Sequence, residues 1–395
     1  MDTAASRPFT PTLPDYAGAS IANLMGSIAR AFEVPHAACP PLRGEPAQGL
    51  AGHRHVVLVL VDGLGLRLLH RHRPDGALAA HIRATLTSVF PSTTASAITT
   101  LLTGVPPAAH AITGWHVWLE EIDAVAAVLP GHVRGGDEPI ARRPGGAALF
   151  DQTAFVDRLP VASHVVTPRR IIDSAFNLAH TGRAQRHGYT TLAQFFEAIE
   201  RCVRAPAQRS YVYAYWPELD SIAHEYGVDS PQARDSLRRF EHGFARLLAA
   251  LRGRDAALVV TGDHGLLDAA EEETVELAQH PHLAGTLARP LCGERRAAYC
   301  YVHEAQRALF EDYVGNELSG QVDLHRSETL IRDGWFGPGP VHPRLAARVG
   351  DYVLVPRGRA TIKDWLPGEK RYRQIAVHGG VSEEEMLVPL IIAQP

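Results

Sequence analysis

Six side chains that can bind metal ions stand at or just beyond the ends of predicted core strands. They are three carboxylates and three imidazoles: Asp62, Asp220, His224, Asp263, His264 and His378. Open α/β folds bind their ligands at the carboxyl ends of the strands, so we expect these groups to share one site. Two sets of three oxygen and nitrogen donors suit two divalent ions, with zinc preferred and manganese as the alternative. Such a pair of ions is suited to displacement at phosphorus.

Each of these motifs also has a simpler interpretation. Asp62 follows the apolar run 56–61, where an aspartate can serve only as the cap of the next helix. Asp220 and His224 are four residues apart, as exposed pairs on helix surfaces often are. The glycine-rich segment at His378 can be only a turn. A shared site is favoured because all these motifs occur in one chain, each next to a predicted core strand.

A nucleophile is predicted where the segment 90–104, FPSTTASAITTLLTG, begins a helix. The amino end of a helix attracts the negative charge of a phosphate, and metal coordination lowers the pKa of a hydroxyl. Thr93 and Thr94 both qualify, and Ser92 is a weaker candidate. At least one of these hydroxyls is also expected to cap the helix.

The surrounding pattern is typical of an α/β fold with a largely parallel central sheet and helices on both faces. Strands are predicted at 56–61, 83–90, 158–168, 209–220 and 255–265, and helices at 20–32, 190–203 and 231–253. Residues 1–50 are predicted to form an arm and helix, 51–271 with 375–395 the catalytic core, and 272–374 a smaller α+β insertion. The insertion is expected to shape the leaving-group pocket, with Lys363 solvated. Residues 105–150 are expected to be irregular.

Composition limits the choice of partners. The formal charge of -4, with 21% charged residues, argues against a nucleic acid polymer or an anionic membrane as partner. The four cysteines form no CxxC pair, which favours a reducing compartment. No basic and apolar leader and no apolar run of about 18 residues is present. We therefore expect a soluble, cytoplasmic protein.

The ordered set of motifs resembles the alkaline phosphatase superfamily, and within it the type I phosphodiesterase and nucleotide pyrophosphatase branch. The matching segments are VLVLVDG, the threonine-rich helix start with its TG end, PPAAH, WPELDSIAHEYG, VVTGDHG and AVHGG. The resemblance implies an alkaline-phosphatase-like fold and a hydrolase that forms a covalent phospho-threonine. It also implies two ligand sets, namely Asp62, Asp263 and His264 with the nucleophile, and Asp220, His224 and His378.

Two details of the resemblance concern the nucleophile and the phosphate. In the family the hydroxyl stands nine residues before the threonine of the TG pair, which selects Thr94, counted from Thr103, over Thr93. The Phe-Pro that usually follows the nucleophile precedes it in this chain, so Thr93 stays a candidate. The asparagine that holds a phosphate oxygen in many relatives is missing from HAITGWHVW. His116, the Trp115 indole or a backbone amide would have to replace it.

The predicted function is hydrolysis of a phosphate diester or pyrophosphate, with a nucleotide or another small phosphate ester as substrate. A phosphomonoesterase or phosphonate hydrolase on the same core is the alternative, as is an isomerase similar to cofactor-independent phosphoglycerate mutase. The threonine-rich turn, and the lack of a large insertion before Asp220, argue against the isomerase. No CxPxR or SxPxR motif indicates a sulfatase. The oligomeric state is left open.

Overall fold

The computed structural model describes residues 10–35, 37–44, 47–146, 149–205 and 209–395. The first part of the predicted N-terminal arm, residues 1–9, lies outside the described residues. The helix predicted after the arm is confirmed at Ile21–Ala31. Ser20 and Asn23 form a reciprocal capping box at its start, which fixes where the helix begins.

Strands and helices alternate through the first part of the chain, and shorter mixed elements follow. The described strands, numbered in chain order, are β1 His55–Val61, β2 Ile82–Thr87, β3 His116–Leu119, β4 Ala124–Ala127, β5 His132–Val133, β6 Ala162–Pro168, β7 Gln185–Tyr189, β8 Ser210–Trp216, β9 Ala256–Thr261, β10 Leu267–Asp268, β11 Thr274–Glu276, β12 Cys292–Glu294, β13 Ala297–Cys300, β14 Val322–Arg326, β15 Tyr352–Pro356, β16 Thr361–Lys363, β17 Ala376–Val377 and β18 Leu387–Ala393. The described α-helices are α1 Ile21–Ala31, α2 Leu66–His72, α3 Thr94–Thr103, α4 Pro107–His110, α5 Ala175–Thr181, α6 Leu192–Arg204, α7 Glu218–Tyr226, α8 Pro231–Ala250, α9 Pro281–Ala284, α10 Arg307–Glu317, α11 Ser327–Arg332, α12 Leu345–Val349 and α13 Glu383–Met386. Across the described ranges, every helix is too short or too polar to cross a membrane.

Seven of the described strands form the central sheet, in the order β2-β18-β9-β1-β8-β6-β7. β1 pairs in parallel with β8 and β9, and β6 pairs in parallel with β7 and β8. β18 runs antiparallel to both of its neighbours, β2 and β9. The carboxyl ends of β1, β8 and β9 therefore meet at one edge, and the amino end of β18 lies at the same edge. The predicted, largely parallel sheet is confirmed.

Helices cover both faces of this sheet, as predicted. Every residue of β1 is buried, which explains its continuous apolar run. Its side chains alternate between two clusters, with Val56 and Leu58 in one and Val57 and Val59 in the other. The first cluster includes apolar residues of α1 and α3, and the second includes those of α2, α6, α7 and α8.

A second sheet has the order β14-β15-β13-β12-β3-β4-β5, and its neighbouring strands are antiparallel. Three of these strands, β3 to β5, come from the region 105–150. The prediction that this region is irregular is therefore wrong. Sequence reasoning missed these strands because two to four residues are too few to show an alternating pattern. We call residues 116–133 together with 272–374 the cap. The boundaries between arm, core and insertion stay a proposal.

Three predicted strands end earlier than expected. β2 ends at residue 87 rather than 90, and β9 ends at residue 261 rather than 265. The third is β8. The segment 209–220 was expected to end on Asp220, but β8 ends at Trp216, and Asp220 lies in the first turn of α7. Pro217 stands at the N-cap of α7, which suits a residue that cannot donate to a sheet ladder. Asp220 and His224 consequently lie one helical turn apart, as their spacing predicted.

Candidate active site

A cavity of about 610 Å³ is lined by residues of both sheets and of the elements that connect them. Asp62, Asp220 and Thr94 line it from the core. His116 and Glu294 line it from the cap. The cavity therefore opens onto the edge of the central sheet where the sequence predicted a site.

Asp62, Asp263 and His264 form one group of potential ligands, whose donor atoms lie within 4.8 Å of one another. Oδ1 of Asp263 accepts hydrogen bonds from the backbone amides of Gly63 and His264, both at 3.0 Å. The Tyr215 hydroxyl donates to Oδ2 of Asp62. Nε2 of His264 lies 3.5 Å from Oδ1 of Asp62 and 3.5 Å from Oδ2 of Asp263. One oxygen of each carboxylate thus faces the imidazole.

Asp220, His264 and His378 form a second group, so His264 belongs to both. Nε2 of His378 lies 3.9 Å from Oδ1 of Asp220, and its ring stacks on His264 with the centroids 3.7 Å apart. His224 presents Nε2 to Oδ2 of Asp220 at 3.2 Å. His378 reaches this edge because it shortly precedes β18, the antiparallel strand. The structure brings all the predicted ligands together.

The three imidazoles share one orientation. Nδ1 of each lies at hydrogen-bond distance from a backbone carbonyl, in the pairs His224 with Ala376 at 2.7 Å, His264 with Gly265 at 2.9 Å and His378 with Ser92 at 3.2 Å. A carbonyl oxygen only accepts, so the proton is on Nδ1 and the Nε2 lone pair can bind a cation. Histidines that bind metals are commonly oriented by such a carbonyl.

Three buried carboxylate oxygens of the site receive no hydrogen bond from any described residue. They are Oδ1 of Asp62, Oδ1 of Asp220 and Oδ2 of Asp263. Burying an unpaired charge is costly, and each of these oxygens lies within 4 Å of an imidazole Nε2. A divalent cation between the two atoms would satisfy both. The residues present therefore fit metal ions.

The pKa values of the carboxyls indicate where positive charge is lacking. Burial, with repulsion from Asp263 and Asp220, raises the pKa of Asp62 well above its ordinary value. Burial also raises the pKa of Asp263. For Asp220 burial acts in the same direction, but His224 and then His378 outweigh it and hold its pKa below the ordinary value. Asp62 and Asp263 are thus the carboxyls most in need of a cation, and Oδ1 of Asp220 also lacks a hydrogen-bond partner.

The candidate hydroxyls have different partners. Oγ1 of Thr94, the first residue of α3, lies 3.1 Å from Nε2 of His264. Thr93 stands at the N-cap, yet its hydroxyl donates to Oε1 of Glu294 at 2.6 Å and does not cap the helix. The Ser92 hydroxyl donates to a backbone carbonyl at 2.7 Å. Of these hydroxyls, the one on Thr94 is therefore directed at a potential ligand.

Glu294, at the end of β12, is a site residue that the sequence did not predict. Its Oε1 accepts hydrogen bonds from the Thr93 hydroxyl and from the backbone amide of Trp115, the latter at 2.7 Å. Burial raises the pKa of Glu294 to about 7. It stands 201 residues from Thr93 and in no motif, so no local signal could have found it. Tyr215 was missed too, although the alternating tyrosines of β8 are a visible pattern.

His116 begins β3 and lines the cavity, as its predicted role in substrate binding requires. Burial lowers its pKa to about 3, so the imidazole is neutral at physiological pH. The backbone amide of Trp115 is already bonded to Glu294 and is not a free donor. The role of His116 stays a prediction.

The fold is shared with solved phosphate-processing proteins. Residues 56–380 match the model of the type I phosphodiesterase / nucleotide pyrophosphatase family. Murine ectonucleotide pyrophosphatase / phosphodiesterase 5 is similar with a TM-score of 0.63 at 17% identity, over 86% of this chain and 88% of that chain. Human ectonucleotide pyrophosphatase / phosphodiesterase 5 has a TM-score of 0.64 at 16% identity, over 86% of this chain and 88% of that chain. Phosphonoacetate hydrolase from Sinorhizobium meliloti 1021 has a TM-score of 0.59 at 19% identity, over 86% of this chain and 90% of that chain.

These likenesses confirm the predicted alkaline-phosphatase-like fold. The family match covers well over half of the chain, and the predicted metal ligands and both threonines lie within it. The chain therefore belongs to the type I phosphodiesterase / nucleotide pyrophosphatase family of the alkaline phosphatase superfamily, and it is a hydrolase of phosphate ester bonds.

Proposed function

We propose that the protein is a metal-dependent phosphodiesterase of the nucleotide pyrophosphatase type, which forms a covalent intermediate on Thr94. The main support is the Thr94 hydroxyl, which lies beside His264 where the carboxylates and imidazoles converge. The proposed substrate is a small phosphate diester or pyrophosphate, including nucleotides. A solved complex of inactive murine phosphodiesterase 5 with AMP is consistent with this size of ligand.

Two divalent ions, zinc or alternatively manganese, are proposed to occupy the site. The proposed ligands are Asp62, Asp263 and His264 for one ion, and Asp220, His224 and His378 for the other. The unpaired carboxylate oxygens and the Nδ1–H tautomers, which leave a lone pair on each Nε2, support this assignment. When bound, the cations supply Lewis acidity that lowers the pKa of the attacking hydroxyl and stabilises the leaving oxygen.

The chain itself positions the nucleophile and the phosphate. Thr94 lines the cavity at the amino end of α3, where the helix attracts the negative charge of a phosphate. Its Oγ1 releases its proton to solvent and forms the bond to phosphorus while the bond to the leaving oxygen breaks, and that oxygen keeps the electron pair. Water then cleaves the phospho-threonine and restores the hydroxyl. Glu294 keeps the neighbouring hydroxyl of Thr93 bonded to the cap.

The test compares Thr94→Ala with Thr93→Ala at full metal occupancy, measured by elemental analysis. Thr94→Ala should lower turnover of bis(p-nitrophenyl) phosphate by roughly 10³-fold or more, because the nucleophile is gone. Its fold and metal content should remain, since a threonine at a helix start contributes only about 1 kcal/mol. Thr93→Ala should lower turnover by no more than about tenfold, because it loses only the hydrogen bond to Glu294 that orients the helix start. If Thr94→Ala remains active while Thr93→Ala does not, the wrong hydroxyl has been assigned.

A phosphomonoesterase or phosphonate hydrolase on the same core is the second candidate. It is favoured by the similarity to phosphonoacetate hydrolase. Turnover of p-nitrophenyl phosphate, its diester and phosphonoacetate by one metal-loaded preparation separates the candidates. If the monoester or the phosphonate is cleaved and the diester is not, the second candidate replaces the first.

A cytoplasmic location also belongs to the proposal. All four cysteines are buried free thiols, which suits a reducing compartment. Localisation of the tagged protein by fractionation tests this directly, and recovery from an oxidising compartment would contradict it.

A further inference from the structure

Four cationic side chains that line the cavity have no carboxylate partner among the described residues. Arg170 and Lys370 are exposed, whereas the other two are half-buried in one wall. These two are Arg295 and Lys363, which we call the cap cation pair, and both line the same cavity as Thr94. Among the described residues, no carboxylate lies within 4.0 Å of either cationic group. Both side chains are half-buried. The prediction that Lys363 is simply solvated therefore does not describe its surroundings.

The carboxylates that line the cavity are engaged elsewhere. Asp364, next to Lys363 in sequence, receives a hydrogen bond from Arg134 at 2.7 Å and one from the backbone amide of Leu291 at 2.9 Å. Glu369 pairs with Arg134, at 2.9 Å and 3.1 Å. The others are Glu294, bonded to Thr93 and Trp115, and the proposed metal ligands Asp62 and Asp220. No lining carboxylate remains for the cap cation pair.

Two aromatic rings hold the cap cation pair in place. The Arg295 guanidinium lies 5.4 Å from the ring centre of Trp365 and 5.1 Å from that of Tyr372. Nζ of Lys363 lies 5.6 Å from the same Trp365 ring. Cations over aromatic faces are attracted to them, so both charges are fixed next to one indole. Burial lowers the pKa of Lys363, and repulsion from Arg295 lowers it further. The second effect is consistent with two cations held close together.

We propose that the cap cation pair is a subsite for a second anionic group of the substrate, carried by an ester substituent of the reacting phosphorus. This inference rests on the proposed phosphodiesterase function and specifies its substrate class. Arginine suits the planar, paired oxygens of a carboxylate or phosphate, and lysine adds a compact charge. An anion there removes the repulsion between the two cations. A cavity of about 610 Å³ has room for such a substituent beside the reacting phosphate.

The test uses esters that differ in one charge. Two diesters of p-nitrophenyl phosphate carry either a 4-carboxyphenyl or a 4-carbamoylphenyl group, so shape and leaving group are matched. The metal-loaded protein should prefer the carboxylate, measured as the ratio of kcat/KM values. A charge-assisted hydrogen bond contributes enough for Arg295→Gln and Lys363→Gln each to lower this ratio about tenfold. The control Arg373→Gln removes an exposed arginine that pairs with Glu271 and should not change the ratio.

A second readout requires no turnover. Calorimetry compares 4-carboxybenzylphosphonate with 4-carbamoylbenzylphosphonate, which contain no ester bond to cleave. A binding preference for the carboxylate that is lost in Arg295→Gln and Lys363→Gln supports the subsite, whether or not a diester is hydrolysed. If binding shows this preference and no diester is hydrolysed, only the proposed function has failed. Equal turnover and equal affinity for the charged and neutral probes would overturn the subsite and leave the proposed function in place. A preference that persists in both variants would also overturn it.

Discussion

A buried ion pair joins the cap to the catalytic core and allows a quantitative prediction. Arg296, between β12 and β13, donates to Glu385 of α13 through Nε at 3.1 Å and Nη2 at 3.0 Å. Both side chains have 0% exposure. The Glu385 carboxylate also accepts from the backbone amide of Gly380 at 2.8 Å and from the Ser382 hydroxyl at 2.8 Å. It therefore secures the turn that carries His378.

Arg296→Met should lower the free energy of unfolding by about 3–5 kcal/mol at neutral pH. Methionine fills much of the space, but Glu385 is left as a buried charge without its counter-ion, and breaking a buried pair typically costs this amount. The remaining donors of Gly380 and Ser382 favour the lower end of the range. Replacing both partners, in Arg296→Met with Glu385→Gln, should cost less than Arg296→Met alone, because no unpaired charge remains.

The dependence on pH has a definite sign. Burial alone would raise the pKa of Glu385, but Arg296 outweighs it and holds the value below the ordinary 4.5. A carboxyl with a lowered pKa in the folded state stabilises the wild type above the ordinary pKa, and this contribution is lost as the pH falls through the folded pKa. In Arg296→Met the pKa of Glu385 should rise, since burial is then opposed only by the hydrogen bonds from Ser382 and Gly380. The difference in free energy of unfolding between the wild type and Arg296→Met should thus be largest near neutral pH and should become smaller in acid.

Urea unfolding of metal-depleted protein, followed by fluorescence between pH 4 and 8, measures this difference. The matched control is Arg238→Met, which removes the same side chain from an exposed pair with Asp235. Exposed pairs contribute about 0–1 kcal/mol, so the control should stay close to the wild type. If Arg296→Met loses no more stability than Arg238→Met, or if its loss is the same at every pH, the account of Arg296 is wrong.

Three further predictions concern the site. Elemental analysis should find close to two divalent ions per chain. Asp220→Ala and His378→Ala should each release one of these ions preferentially, and a full metal load in both variants would contradict the ligand assignment. Glu294→Gln retains an acceptor for Thr93 and should keep most activity, whereas Glu294→Ala should lower kcat about tenfold if the bond orients the helix start. Tyr215→Phe removes the hydrogen bond to Asp62. Calorimetric titration should show that the affinity for the metal falls about tenfold or more, as it does when other hydrogen-bond partners of metal ligands are removed. Unchanged affinity would show that this hydroxyl does not orient the ligand.

The sequence predicted the parts of the molecule that depend on local patterns. The buried strand segment 56–61 is apolar without interruption because both of its faces are covered, and the same reasoning placed Asp62 and Asp263 at strand ends. The pairing of β1 with β9 makes these two ends neighbours. The spacing of Asp220 and His224 predicted a shared helix face even though the strand before them ends at Trp216. A motif can therefore place a side chain correctly although the boundary beside it is wrong.

What the sequence could not show depends on contacts between distant segments. The strands β3 to β5 gain their stability from pairing with β12 and with each other, and their own two to four residues carry little signal. Glu294 has a role only because β12 lies beside the start of α3, where Thr93 meets it. His378 reaches the proposed metal site because β18 alone runs antiparallel in the described central sheet, which no residue pattern predicted.

Three consecutive residues of the cap connect the two ends of the proposed substrate site. Glu294 bonds to the helix start that carries Thr94, Arg295 belongs to the cap cation pair, and Arg296 is anchored on Glu385. Because Glu385 also secures the turn after His378, a shift of this segment would move the nucleophile helix, the substrate wall and a proposed metal ligand together. Substitutions at Arg296 should consequently reduce both metal affinity and the preference for an anionic ester. A change in stability alone, with both of those quantities intact, would show that the three contacts are independent.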